Sequence, residues 1–115
     1  MFVSHVDKLD PKTINIPGAA GVTKISPVSP AEGWDGWVMR QFNIAAGGNT
    51  PRHSHPWPHI NYVLSGKGQL FAEGQVHEIS AGSVAYVDSD SEHQFMNNSN
   101  DELVFICIVP VEGDK

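Results

Sequence analysis

Three histidines fall within seven residues, in Arg52-His53-Ser54-His55-Pro56-Trp57-Pro58-His59. On an extended chain, residues two apart point to the same face, so His53 and His55 can aim two imidazoles at one spot. Two prolines leave a central strand short of donors, so Pro56-Trp57-Pro58 must bend the chain. After that bend His59 can return on a neighbouring strand and meet the first two. Neutral imidazole is a common ligand for divalent transition metals and suits iron, copper, nickel and zinc, with manganese accessible. A single histidine beside a proline turn is ordinarily a surface residue. Three at this spacing read as a metal site. No Ser-His-Asp signature, phosphate loop or cysteine-rich zinc pattern accompanies them.

These residues must be held by many short strands. Glycine (11) and proline (8) recur along the whole chain. Between them lie β-forming runs: 37–44, 60–64, 69–72, 76–79, 83–87 and 103–109. Several alternate apolar and polar with period two. No window of a dozen residues carries a helical stripe free of Gly and Pro. The stretches 65–68 and 73–75 read as hairpin-like, 80–82 as a further turn, and 97–101 as a polar loop. Residues 1–33 are less regular. They are read as edge strands, such as 13–16 and 22–26, with loops, belonging to the same domain as a barrel at 34–115. Seven or more short antiparallel strands in 115 residues mean an all-β sandwich or barrel.

Composition sets further bounds. Hydrophobic residues make up 40% and charged residues 17%, so the chain folds around one core rather than staying disordered. Its net charge of −6 argues against nucleic acid or an anionic membrane as partner. No apolar run reaches the roughly 18 residues of a membrane helix. One cysteine, Cys107, permits no internal disulfide, and the first residues lack a basic and then apolar leader pattern. A cytoplasmic location is the expectation.

Two spacings carry a family resemblance. Gly47, five residues, His53-Ser54-His55, three residues, His59, six residues and Gly66 follow the first cupin motif. Gly82, five residues, Asp88-Ser89-Asp90, two residues, His93, three residues and Asn97 follow the second. The chain thus resembles the small single-domain, RmlC-like cupins, which implies a double-stranded β-helix, the jelly-roll barrel. Three departures stand out. His59 replaces the usual Glu ligand, and Asp88 and Asp90 replace the Pro and Gly of a turn, where Asp is also competent. With His59, the pattern is similar to the four-histidine, manganese-type bacterial monocupins. That resemblance implies His53, His55, His59 and His93 as ligands of one divalent metal per chain: manganese first, then iron, with nickel, copper or zinc as alternatives.

Four neutral imidazoles leave a divalent ion its full charge, with no carboxylate base of its own. This points to an oxygenase or dioxygenase acting on a small apolar or aromatic molecule with O2. The alternatives are a non-oxidative isomerase or lyase, for which Tyr62, Tyr86 or Glu73 would have to supply a base, and a non-catalytic ligand-binding cupin. Strand parity puts Asn61 on the face of His59 and Phe95 on that of His93, and groups Phe105 with Cys107. These four, with Trp57 and Arg40, are expected to line the pocket, Cys107 chiefly as a small packed hydrophobe. Arg40 and Arg52 carry forks suited to a carboxylate, although each alone reads as a surface ion-pair residue. His5 and His77 read as surface residues, and Trp34 and Trp37 as packing or interface residues. A homodimer is expected through sheet edges, with the segment before residue 34 as the exchanged strand.

Overall fold

The computed structural model describes residues 1–114. Nine strands form one curled antiparallel sheet: β1 (Lys12–Thr13), β2 (Ala20–Val28), β3 (Trp37–Asn49), β4 (His59–Ser65), β5 (Lys67–Ala72), β6 (Gln75–Ser80), β7 (Val84–Val87), β8 (His93–Met96) and β9 (Leu103–Pro110). The hydrogen-bonded order is β6-β5-β8-β3-β9-β4-β7, with β2 added on β3 and β1 on β2. The long β3 belongs to two layers. Its first part pairs with β9 from Trp37 to Ile44, and its end meets β8 at Asn49↔Met96. The bend between them runs through Gly47, at φ 80°, where a side chain would be strained.

The loop expected at 73–75 is a hairpin, joining Ala72 to Gln75. The stretch 65–68 is not one. β4 pairs with β7 and β9, whereas β5 pairs with β6 and β8, so Gly66 carries the chain from one layer to the other. Gly66 has φ 86°, and a Cβ there would collide with the Glu102 carbonyl. A glycine between two β-forming runs looks the same in sequence whether the strands pair or part.

Period-two alternation sorts the side chains. β9 alternates buried and half-buried along its whole length, and His59, Asn61 and Val63 are the buried positions of β4. One end of the barrel is apolar. Val22, Ile44, Val63, Leu70, Phe95, Leu103 and Phe105 form its core, with Phe95 and Phe105 stacked at 4.2 Å. Each such side chain contributes roughly 1.5–3 kcal/mol on burial.

Asn97 ties the bend to the loop before β9. It is 1% exposed and uses its whole amide. Its Nδ2 donates to the carbonyls of Ile44 (2.9 Å) and Asp101 (2.8 Å), and its Oδ1 accepts from Ser99 N (3.0 Å) and Oγ (2.7 Å). Asn97→Ala leaves several buried groups unsatisfied and is expected to cost about 2 kcal/mol or more. Exposed Asn98→Ala should stay within about 0.5 kcal/mol. Denaturant unfolding of both variants checks this. Equal midpoints would show that Asn97 does not hold the bend.

Candidate metal centre

The four motif histidines come from three places. His53 and His55 lie in the connection between β3 and β4, His59 opens β4, and His93 opens β8. An isolated bridge fixes the first to the last: His53 N donates to His93 O (3.1 Å) and His93 N to His53 O (2.9 Å). Ligand nitrogens of His53, His55 and His93 all lie within 4.8 Å of one another. His59 stands beside this trio. Its Nε2 lies 3.2 Å from Nε2 of His93, and its ring centroid 5.3 Å from that of His55. Nitrogens bound to one ion at about 2.1 Å sit roughly 3–4.2 Å apart, so the trio, within 4.8 Å, is compatible with one ion after a small closing-in, and His59 adjoins it through His93.

Orientation is set at the other ring nitrogen. Nδ1 of His55 faces the Trp57 carbonyl at 2.8 Å, Nδ1 of His93 the Ser91 carbonyl at 2.8 Å, and Nδ1 of His59 the Asn61 Oδ1 at 2.7 Å. A carbonyl oxygen only accepts, so each Nδ1 carries the proton and each Nε2 keeps its lone pair for a metal. The Pro-Trp-Pro bend therefore supplies more than a turn. Trp57 gives its carbonyl to His55, stacks on that ring at 4.9 Å and 10°, and packs against Gly113. Asp90 stands where the motif has Gly. It adopts φ 66° and donates its N–H to the His55 carbonyl at 2.7 Å, so the turn closes without glycine.

Burial also keeps His53, His59 and His93 neutral. Desolvation lowers His59 to about 3, opposed by the Asn61 hydrogen bond and aided by His93, His55 and Arg40. Desolvation lowers His93 to about 4, against the Ser91 hydrogen bond. His53 is also lowered, by burial first and then by His55 and Arg40. Such groups need lose no proton to bind a metal at neutral pH.

Beneath His59 lies a polar row. Arg40, Cys107, Asn61 and Ala85 are successive cross-strand partners on β3, β9, β4 and β7. Arg40 is not a surface ion-pair residue: its side chain is 11% exposed, and its Nη2 donates to Cys107 Sγ at 3.1 Å. Burial raises the Cys107 pKa, with Arg40 opposing, so it stays a thiol. Phe95 and Phe105 belong to the apolar core one row further down. Arg52 is exposed and stacks on Phe71, and His5 and His77 are exposed. Asp114, absent from the sequence-based candidates, reaches Arg40 from beyond β9, and no motif spacing marks it.

An open groove of about 790 Å³ separates the free edges of β6 and β7. Ala72, Val87, Glu73 and Ser91 are among its walls. Ala72 is the cross-strand partner of His93, and Val87 that of His59, so the groove borders the residues next to these histidines, although none of the four histidines is among its walls. Tyr62 lies on the outer face of the sheet, and Tyr86 is exposed at the groove edge.

His93→Ala removes the residue nearest both the trio and His59. It is expected to lower Mn(II) affinity at least tenfold, by analogy with the loss on removing even an outer support of a ligand. Equilibrium dialysis checks this, and unchanged metal content would overturn the ligand set.

Comparison with known proteins agrees with this architecture. The family profile described as Cupin domain matches residues 40–109. A 1-methylthio-D-xylulose 5-phosphate methylsulfurylase of Rhodospirillum rubrum is 27% identical over 77 residues, 67% of this chain and 49% of that protein. The chain thus spans about half the length of that curated relative. The polyketide cyclase RemF of Streptomyces resistomycificus superposes with TM-score 0.90 at 26% identity, over 96% of this chain and 79% of the other. A predicted oxalate decarboxylase of Thermotoga maritima gives TM-score 0.87 at 25% identity, over 95% and 98%. With a family match over more than half its length, the jelly-roll topology and a histidine cluster compatible with one metal ion, the chain belongs to the cupin family.

Proposed function

We propose that this cupin is a metal-dependent oxygenase of small apolar or aromatic molecules, with one manganese or iron ion on His53, His55, His59 and His93. The observation that carries the reading is the absence of a carboxylate or phenol among the buried described residues around the cluster. Three imidazoles are anchored through Nδ1, and Asn61, Cys107 and the core residues around them include no carboxylate or phenol. Chemistry there proceeds without a side-chain base in the ligand shell. A bound manganese or iron ion would supply electron transfer to O2 and an electrophilic anchor for an oxygen donor. The chain's own part is to hold the donors, exclude water on the core side and admit the substrate. The groove between β6 and β7 has the size of small-molecule sites, and Leu70, Ala72, Ile79 and Val87 give it apolar patches among polar walls that include Glu73, Glu78 and Asp88.

A second reading has its own observation. Glu73 lines the groove mouth, hydrogen-bonded by the Ser91 hydroxyl at 3.3 Å, where it could act as the base of a non-oxidative lyase or isomerase. The cyclase and the predicted decarboxylase among the similar structures carry such activities in their names.

One experiment separates the two. The Mn- and Fe-loaded protein is offered a panel of catechols and 1,3-diketones with and without O2. Substrate-dependent O2 uptake, retained in Glu73→Gln, is the expected result. Turnover that persists without O2 and falls at least tenfold in Glu73→Gln would replace the oxygenase by the second reading. Tight binding with no turnover in either atmosphere would overturn both and leave a ligand-binding cupin.

A further inference from the structure

Arg40 is enclosed in the barrel with its charge poorly matched. Among the described residues, its Nη2 meets only the neutral Cys107 thiol, and its Nε is buried without a partner. The Asp114 carboxylate lies 3.8 Å from Nη1, beyond a good hydrogen bond, and sits closer to Lys24 Nζ, at 3.3 Å. A guanidinium offers five donors in a planar fork, and burying one without a carboxylate is costly. The row that holds it also holds Asn61, whose Oδ1 bonds His59. Arg40 thus stands two strands from the residue that positions a metal ligand. A divalent ion on four neutral imidazoles, with this cation beside it, gives a positive interior to a chain of net charge −6.

We infer that Arg40 is the specificity residue of this site, binding a carboxylate or similar anionic group on a substrate whose other oxygen donor faces the metal, with Asp114 as the resident group that yields to it. The inference rests on the metalloenzyme reading and narrows its substrate class to acids carrying an apolar body.

Diacids serve as a ruler. The Mn(II)-loaded protein is titrated with acetate, malonate, succinate and glutarate, and with the mono-amide of the best diacid, following water-proton relaxation. One diacid should bind about ten- to a hundredfold more tightly than acetate. That advantage should shrink to about threefold or less for the mono-amide and in Arg40→Met, once circular dichroism shows the variant folded. Asp114→Asn removes the internal competitor and should move the diacid the other way, tightening it by about threefold or more. Diacids that bind no better than acetate, an advantage unchanged in Arg40→Met, or weakening in Asp114→Asn would each overturn the assignment. If no Mn(II) is retained, or acetate leaves the relaxation unchanged, the metalloenzyme reading fails and this inference with it.

Discussion

An imidazole ligates a metal only when it is neutral and when the correct nitrogen is free, and this chain imposes both conditions by burial. His59 and His93 open strands whose alternate residues face the core, so desolvation holds them near 3 and 4. The same burial leaves their Nδ1 protons no water to find. They turn instead to acceptors two residues away, the Asn61 amide and the Ser91 carbonyl. Because these acceptors belong to the same short segments as the rings, the strand that brings each imidazole in also sets its tautomer. Neutrality has a cost in acid. Between pH 6.5 and about 4 the unfolded chain takes up protons at these positions that the folded chain does not, so stability falls as pH drops through that window.

The barrel separates its tasks by rows. Phe95, Phe105, Leu103 and Ile44 fill one end and supply the burial energy. One row nearer the histidines, Arg40, Cys107 and Asn61 replace them on the same strands. β9 shows the change most plainly: Leu103 and Phe105 belong to the core, and Cys107, two residues further along, faces Arg40. A single period-two strand can serve both ends because register carries each residue to a fixed depth.

Much of this was legible in the residues. Strand positions, the inward parity of His59 with Asn61 and the closeness of His53 to His55 follow from spacing and alternation, which are local properties; His93 joined them only through the family resemblance. The failures are equally physical. The 65–68 stretch read as a hairpin because Gly and polar residues mark any reversal, and only long-range pairing distinguishes a hairpin from a crossover. Arg40 read as a pocket-lining candidate but, taken alone, as a surface ion-pair residue, because charge predicts exposure on average. What encloses it is Cys107 across a ladder and Asp114 from beyond β9, neither of which is near it in sequence. Asn97 does lie in the polar loop before β9, as its sequence context reads, but its burial is hidden there, because its four hydrogen bonds go to groups that the fold alone collects.

Asn61 shows why the neutral set holds together. A carboxylate under a ligating histidine is a common support, and Asp at this position would also accept from Nδ1 of His59. Here it would stand in the row of Arg40, with only Cys107 between. The two opposite charges, one strand apart, would offset each other and weaken the pull of the guanidinium on an anionic ligand. It would also remove a unit of positive charge from the interior, as a Glu in place of His59 would do. The amide supplies the same acceptor oxygen without either effect, and its Nδ2 still donates to the Ile106 carbonyl at 3.4 Å. Asn61 and His59 therefore belong to one electrostatic choice. On the proposed reading the ligands and their support are neutral, so the negative charge that completes the site arrives with the molecule that enters it.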